Sequence, residues 1–218
     1  MIDVKDRILM IDTETTNNFD DPFVYDTGYQ IFSLAEGTLL ERSFVNADVF
    51  FRDDLMRDAY FADKIPQYLD DVRNGKRIAK LWKVIKNAIY CDCKNFDVKI
   101  ACAHNAMFDS RALNKTQRYI TTSRYRYVLP FGVEWWDTLK MARLTLKDNE
   151  TYQRFCFNHG FITQNGQPQF TAEVIYRYLI QNTEFEEEHT GLEDVKIERK
   201  IFEYCWVNDP TIDGRLWA

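Results

Sequence analysis

"ILMIDTETTNNF", residues 8–19, begins as an apolar run and ends in an acid, a threonine and a second acid. Such a run predicts a buried β-strand, which we place at residues 7–12. If the backbone stays extended as far as residue 14, Asp12 and Glu14 leave the same face of the strand, because side chains alternate with a period of two. Two neighbouring carboxylates repel each other unless one is protonated or a cation lies between them. The simpler alternative is a strand end exposed to water.

The rest of the chain predicts a mixed α/β sheet with helices packed on it. Two more strands follow at once, at residues 23–35 and 39–46, and residues 48–90 have a helical pattern in which Ile78, Leu81, Trp82, Ile85 and Ile89 recur at helical spacing. Short strands at 97–105 and 132–138 then alternate with helices predicted at 108–120, 138–146, 152–161, 170–185 and 190–209. No repeat or flexible linker interrupts the pattern, so we expect one domain over residues 1–218.

Composition limits the classes of function. The 218 residues are 45% hydrophobic, and the net charge of −6 means that a bound polyanion must meet a local basic patch or metal ions. No apolar run is long enough for a membrane span and no signal peptide is evident, so we expect a cytoplasmic protein that does not contact membranes. The five cysteines fit a reduced protein. A zinc site at Cys91, Cys93, Cys102 and His104 is the alternative to small buried thiols lining a strand and its approach.

Two further groups of polar residues fall at the ends of predicted elements. Asp109 follows the strand at 97–105 and begins a helix, where capping alone would explain an acid. Thr190 and Glu193 have the form of a capping box that opens the last helix. That placement puts His189 just outside the helix and Asp194 on its first turn. The acidic run at residues 184–188 reads as solvated, and its charge would raise the pKa of His189.

The four carboxylates and the histidine together are what a two-metal phosphoryl-transfer site requires. Hard divalent ions such as Mg²⁺ prefer carboxylate oxygens as ligands. A pair of such ions activates a water molecule and stabilises the leaving oxygen. A histidine has a pKa suited to accepting the proton of that water.

The sequence resembles the DEDDh branch of the DnaQ-like 3′–5′ exonuclease superfamily. The matching segments are "MIDTETT", "AHNAMFDSRAL" and "HTGLEDV", with "EWWDTLKMARL" between the second and the third. Two features could be mistaken for parts of the site. Tyr204 with Asp209 imitates the tyrosine variant of the third motif but lies late in its helix, so we assign Tyr204 and Trp206 to core packing, and we assign Asp137 to capping a turn.

The resemblance implies an RNase H-like fold with a five-stranded mixed sheet. It implies that Asp12, Glu14, Asp109 and Asp194 bind two Mg²⁺ or Mn²⁺ ions, with His189 as the general base. It also implies a pocket for the terminal nucleotide at Thr13, Thr15, Thr16, His104, Asn105 and Phe108. The expected reaction is hydrolysis of single-stranded DNA, and also of RNA, from the 3′ end to nucleoside 5′-monophosphates. A free-standing nuclease of this size looks similar to phage-encoded members, which would place it in a host cytoplasm.

The segment from Ser110 to Val133 contains no acidic residues and is rich in basic residues and tyrosines. Arg111, Arg124 and Arg126 are the cations that we assign to substrate binding, because basic and aromatic side chains together suit a single strand. An exposed loop is the alternative. An RNA-directed or short-oligonucleotide exonuclease and a non-catalytic module that binds nucleic acid or a protein partner remain as rival functions. The sequence does not indicate an oligomeric state or a protein partner.

Overall fold

The computed structural model describes residues 2–16, 22–57, 59 and 61–217. Asn17, Asn18 and Phe19 of the opening stretch, and Asp58 and Tyr60 of the predicted helical region, lie outside these residues. Within them, one sheet contains six strands in the order β4-β3-β2-β1-β5-β6. The strands are β1 (Ile8–Thr15), β2 (Val24–Ser33), β3 (Gly37–Asn46), β4 (Ile78–Lys80), β5 (Ile100–Ala103) and β6 (Glu134–Asp137). β2 runs antiparallel to both β1 and β3, whereas β5 is parallel to β1 and β6.

The helices cover both faces of this sheet. They are α1 (Ala47–Phe50), α2 (Asp53–Met56), α3 (Ile65–Arg73), α4 (Trp82–Asn95), α5 (Ala106–Ile120), α6 (Thr138–Leu146), α7 (Glu150–His159), α8 (Ala172–Ile180) and α9 (Gly191–Asn208), with a 3-10 turn at Ala62–Lys64. The alternation of β1 separates two hydrophobic clusters. Ile8 and Met10 pack with α9 and its neighbours on one face, and Leu9 and Ile11 pack with α4 and α5 on the other. Because β1 is central and buried on both sides, the end of β1 is held at a fixed place between the two layers.

The predicted α/β fold class is confirmed, with one strand more than the five that the resemblance implied. The extra strand, β4, is a three-residue edge strand parallel to β3. It falls in the region predicted to be helical, so that prediction is wrong there. Ile78 and Leu81 are 50% and 57% exposed, whereas Trp82, Ile85 and Ile89 are buried as the spacing of α4 requires. Ile78 and Leu81 lie just before the start of α4 at a spacing that matches its apolar residues, so the helical pattern was extended too far toward the N-terminus.

Several element boundaries also differ from prediction, among them those of β1 and α8. β1 continues to Thr15 rather than ending at residue 12, so Asp12 and Glu14 both lie in extended backbone. The helix predicted over 170–185 is α8, which ends at Ile180, where Gln181 takes a left-handed conformation with φ of 53°. The first difference bears on the site, because it places both acids on one face of a paired strand.

Candidate active site

Three carboxylates meet at the end of β1. Asp12 and Glu14 project from β1, and Asp194 projects from the first turn of α9. One carboxylate oxygen from each of the three lies within 4.8 Å of the other two. Asp109, from the first turn of α5, lines the same cavity, and its Oδ1 accepts a 2.8 Å hydrogen bond from the Thr13 hydroxyl. The structure therefore brings all four predicted acids to one place, with three of them in closest contact.

Burial and mutual repulsion raise the pKa values of these acids. Burial is the main cause for Asp12 and Glu14, whose pKa values are raised well above the ordinary range, and neighbouring carboxylates add to the effect. Burial also raises the pKa of Asp109 to about 7 and that of Asp194 to about 8. The cluster is thus poorly stabilised as a set of anions, because desolvation and like charge both oppose ionisation.

The donor atoms of this cluster fit divalent ions. Asp12 Oδ2 and Asp194 Oδ1 are buried, and neither has a hydrogen-bond partner among the described residues. Buried polar atoms are normally satisfied, so orphaned acceptors on converging acids call for a cation. Carboxylate oxygens are the ligands that Mg²⁺ and Mn²⁺ prefer. The residues present therefore suit the ions that the sequence predicted.

A glycine-to-glycine contact places Asp194 beside the strand acids. Gly28 is the partner of Asp12 in the β1–β2 register, and Gly191 begins α9. A Cβ added at Gly28 would lie 2.1 Å from the carbonyl carbon of Gly191, and one added at Gly191 would lie 2.6 Å from the backbone nitrogen of Gly28. The backbone of α9 thus rests directly on the sheet, which only two residues without side chains permit.

A buried ionic network around Asp26 also stabilises the contact between Gly28 and Gly191. Asp26, which is paired with Glu14 in the β1–β2 register, is fully buried. Its Oδ2 accepts hydrogen bonds from the Tyr68 hydroxyl (2.6 Å), the Arg77 guanidinium (3.2 Å) and the Gly191 amide (3.1 Å). Asp26 therefore ties β2, α3 and the start of α9 together, directly behind the carboxylate cluster.

His189 lines the same cavity, and its side chain is partly exposed. Its backbone φ is 51°, and its ring stacks on Phe61 with centroids 4.2 Å apart. Burial lowers the pKa of His189, which is opposite to the rise expected from the preceding acids. Glu187, at 3.9 Å from His189 Nδ1, is too distant for a hydrogen bond, and burial raises its own pKa to about 7. A half-buried, neutral imidazole is suited to accepting a proton.

The capping box is the second prediction corrected in this segment. Thr190 does occupy the N-cap position of α9, but its side chain makes no capping hydrogen bond. Glu193 instead pairs with Lys196 at 2.7 Å. The α9 start is fixed by the contact between Gly28 and Gly191 and by Asp26, so the tertiary contacts replace the local cap.

Most of the predicted nucleotide-binding residues line the same cavity, whose volume is about 550 Å³. Thr13, Thr15, His104, Asn105 and Phe108 are among its lining residues. Thr13 binds Asp109 rather than facing an open space, and His104 is fixed by Thr138 Oγ1 at 3.0 Å and by the Phe170 carbonyl at 2.8 Å. Because a carbonyl only accepts, His104 carries its proton on Nε2. These two side chains shape the cavity and orient its other groups.

Four predicted binding residues lie elsewhere. Thr16 is buried and accepts a hydrogen bond from the Phe23 amide, and it does not line the cavity. Arg111, Arg124 and Arg126 line a different cavity, on the outer face of α5. The loop after α5 folds back along that helix, so these three arginines do not line the carboxylate cavity, and their assignment to substrate binding stays a prediction.

The sequence reasoning missed Glu198. This residue is 3% exposed, lines the carboxylate cavity and is the second-largest cause of the raised pKa of Asp12, after burial. Its spacing of four residues from Asp194 on α9 is a usable signal, because residues four apart share a helix face. Asp26 and Phe61 gave no such signal, since their partners are distant in sequence.

The residues set aside as structural mostly fulfil that role. Tyr204 and Trp206 pack against a core cluster. Asp137 caps α6 by accepting a hydrogen bond from the Leu139 amide, and it also accepts one from the Asn105 amide before α5. The cysteines are free thiols, but Cys91 and Cys93 lie in α4 rather than beside a strand, and Cys91 is exposed. Among the described residues, the three clustered acids are the group with metal-ligand geometry, and the cysteines are not part of it.

Comparison with known proteins supports the fold. Sequence comparison finds no matching family model and no similar curated protein. Solved structures do match. Exonuclease X in complex with 5′-overhanging duplex DNA is 15% identical with a TM-score of 0.54, and the match covers 94% of each chain. E. coli exonuclease I in complex with a dA16 oligonucleotide is 14% identical with a TM-score of 0.57 over 94% of this chain and 41% of that one. A 3′-exonuclease that recognises the histone mRNA stem-loop is 13% identical with a TM-score of 0.51, over 95% of this chain and 67% of that one.

The fold and the acid-lined cavity together define the class of this chain. It has the RNase H-like fold that these exonuclease structures share. The chain spans almost the full length of exonuclease X but less than half of exonuclease I. None of the described helices has the length and apolar character needed to cross a bilayer.

Proposed function

We propose that this chain is a metal-dependent 3′–5′ exonuclease of the DEDDh type, which removes nucleoside 5′-monophosphates from the 3′ end of single-stranded DNA or RNA. The observation that carries the proposal is the convergence of Asp12, Glu14 and Asp194 within 4.8 Å, with Asp109 in the same cavity. The neighbouring structures supply the class of reaction, since all three are described as exonucleases.

The four acids would hold two divalent ions, Mg²⁺ or Mn²⁺. Bound ions would supply Lewis-acid activation of a water molecule and stabilisation of the leaving 3′ oxygen. The chain's own contribution is to hold the ligands rigidly. Thr13 fixes Asp109 by a hydrogen bond, and the contact between Gly28 and Gly191 fixes the helix that carries Asp194.

His189 would act as the general base. Its lowered pKa keeps the imidazole neutral at physiological pH, which leaves a ring nitrogen free to take the proton of the attacking water. Stacking on Phe61, which also lines the cavity, restricts the ring to one plane. Asn105 and Phe108 line the same cavity at the N-terminal end of α5, and they would contact the terminal nucleotide.

The experiment that tests the role of His189 is its replacement by alanine. His189→Ala should lower kcat by roughly 10²- to 10⁴-fold with KM near the parent value, as expected for a lost general base. His159→Ala is the matched control, because His159 is exposed at the end of α7 and outside the cavity. Full activity of His189→Ala would contradict the assignment.

The rival function, a binding module without catalysis, predicts a different outcome. Calorimetric titration with Mn²⁺ should detect two ions in the parent protein and a loss of binding in Asp12→Ala and Asp194→Ala. Matched 5′-labelled single-stranded DNA, duplex DNA and RNA, each with Mg²⁺ and with Mn²⁺, should be shortened from the 3′ end. Ion binding without any shortening of these substrates would favour the module. The ranking of the three substrates would assign the substrate class.

A further inference from the structure

A second cavity lies on the outer face of α5, and we call it the α5 cavity. Its volume is about 1140 Å³, and six cations line it: Lys86, Arg111, Lys115, Arg118, Arg124 and Arg126. No acidic side chain occurs among the described residues that line it. In a chain with a net charge of −6, this is a strong local concentration of positive charge. Complementarity of this kind selects a polyanion.

Among the described residues, the arginines of the α5 cavity have no carboxylate partner. Within the described part of the chain, no salt bridge involves Arg111, Arg124 or Arg126. Elsewhere arginines face carboxylates, as Arg42 does with Asp92 at 2.7 Å and Arg177 does with Glu173 at 3.0 Å. Unpaired guanidinium groups are therefore available for phosphates, which they bind through paired donors.

Exposed aromatic rings accompany these cations. Tyr125, Tyr127 and Trp217 are 81%, 68% and 65% exposed, and all three line the α5 cavity. The apolar surface of rings this exposed is removed from water only when another group stacks on them. Alternating cations and open rings are the arrangement that binds unpaired bases together with their phosphates. A duplex keeps its bases paired and would leave the rings unused.

The loop that carries these side chains is held in place by α5. Gln117 Nε2 donates to the Tyr125 carbonyl at 3.0 Å, and the Val128 amide donates to Asn114 Oδ1 at 3.1 Å. Gln117 is 4% exposed and also accepts a hydrogen bond from the Trp82 indole. The loop backbone is thus anchored on α5 while the side chains at 124–127 face solvent. These side chains therefore form a surface with a defined position.

We propose that the α5 cavity is a binding site for single-stranded nucleic acid, separate from the carboxylate cavity. The two cavities come close to each other at the first turn of α5. Phe108 lines the carboxylate cavity, and the guanidinium of Arg111, in the α5 cavity, lies 6.0 Å from the Phe108 ring centroid. From Met107 to Arg118 the surface runs for about 16 Å along the helix. The inference rests on the proposed function for its view of the strand as substrate, but the binding itself is measured without hydrolysis.

The first test measures binding in EDTA, where no hydrolysis occurs. The probe is a fluorescent single strand of about 20 nucleotides, longer than the roughly 4–16 that one OB-fold covers. Arg124→Ala with Arg126→Ala should reduce the salt slope of the binding constant by about 1.4, at about 0.7 per phosphate contact. Tyr125→Ala with Tyr127→Ala should weaken binding by at least roughly 5-fold. The control pair Lys5→Ala with Lys94→Ala removes two exposed charges outside both cavities and should leave binding unchanged.

The second test uses substrate length in Mg²⁺. The Arg124 and Arg126 double variant should raise KM for the long strand and leave hydrolysis of a dinucleotide unchanged, because a dinucleotide ends within the carboxylate cavity. If the long strand binds in EDTA as predicted but is never shortened, the proposed function fails and the binding site stands. Three results would overturn the site. They are parent-like binding by both double variants, equal binding of duplex and single strand, or competition by polyglutamate as strong as that by an unlabelled single strand.

Discussion

Replacing Gly28 with alanine tests how the site is assembled. The new Cβ would lie 2.1 Å from the carbonyl carbon of Gly191 and the amide nitrogen of Leu192, and 2.4 Å from the Gly191 oxygen. All three are backbone atoms, so no side chain can rotate away. Ordinary contact begins at 3.4 Å, and the two backbones must therefore separate by about 1.3 Å.

That separation moves the start of α9, and Asp194 lies on its first turn. Overpacking of this kind costs roughly 1–3 kcal/mol of unfolding free energy. For a domain of this size the melting temperature would fall by about 2–4 °C for each kcal/mol. A displacement near 1 Å costs on the order of 10²-fold in catalysis when it misplaces a reacting group. The variant should therefore lose activity and ion affinity far more than it loses stability.

Circular-dichroism melting, Mn²⁺ calorimetry and single-strand hydrolysis measure the three effects separately. Gly160→Ala is the control, because Gly160 has φ of 75° and nothing lies within 4 Å of its added Cβ. It should cost about 1–2 kcal/mol through backbone strain alone and leave ion binding intact. If Gly28→Ala binds Mn²⁺ and hydrolyses strands like the parent protein, the contact does not position Asp194 and the reasoning is refuted.

Two further predictions concern stability. Arg77→Met leaves Asp26 as a buried charge without its ion-pair partner, and it should lower the free energy of unfolding by roughly 3–5 kcal/mol in denaturant titration. The control Arg73→Met removes an exposed pair with Asp70 and should lower it by about 0–1 kcal/mol. Equal losses in the two variants would contradict the role of the network. Folded-state pKa values of about 7 for Asp109 and about 8 for Asp194 exceed the ordinary 3.8, so the stability that these groups contribute below pH 3.8 is lost as pH rises to about 8. At a fixed concentration of 100 times its Kd at about pH 8, Mg²⁺ should then stabilise the chain by about 2.7 kcal/mol at that pH and by less at about pH 5, where protons compete for the ligands. Thermal shifts of equal size at both pH values would count against these ligands.

The end of β1 could be predicted because its signal is local. An apolar run that stops at Asp12 and Glu14 needs no knowledge of distant contacts, and strand alternation alone places both acids on one face. The order of the remaining acids matched a known pattern, which supplied Asp109 and Asp194. The confirmed α/β fold class followed from the same alternation of strands and helices.

The remainder could not be predicted because it depends on contacts between distant residues. The partner of Asp26 is Arg77, 51 residues away, and neither residue is distinctive in its own segment. The edge strand β4 has three residues, which is too short for a period of two to separate it from the helix that follows. The position of Arg124 and Arg126 relative to the carboxylates could not be predicted, because Gln117 and Asn114, on α5, decide where the loop runs.

The two cavities together explain how an acidic protein would accept a polyanion. The carboxylates are concentrated in one cavity, and arginines that have no carboxylate partner in the described part of the chain are concentrated in the other, with the first turn of α5 between them. Without divalent ions the carboxylate cavity repels a phosphate, while the α5 cavity attracts the rest of the strand. Binding and hydrolysis should therefore depend on different residues: EDTA should abolish hydrolysis and leave long strands bound, and loss of Arg124 and Arg126 should weaken binding of long strands and leave the chemistry intact. A protein whose only strand contacts lay at the carboxylates would lose both properties together in EDTA, and that outcome would reduce the two sites to one.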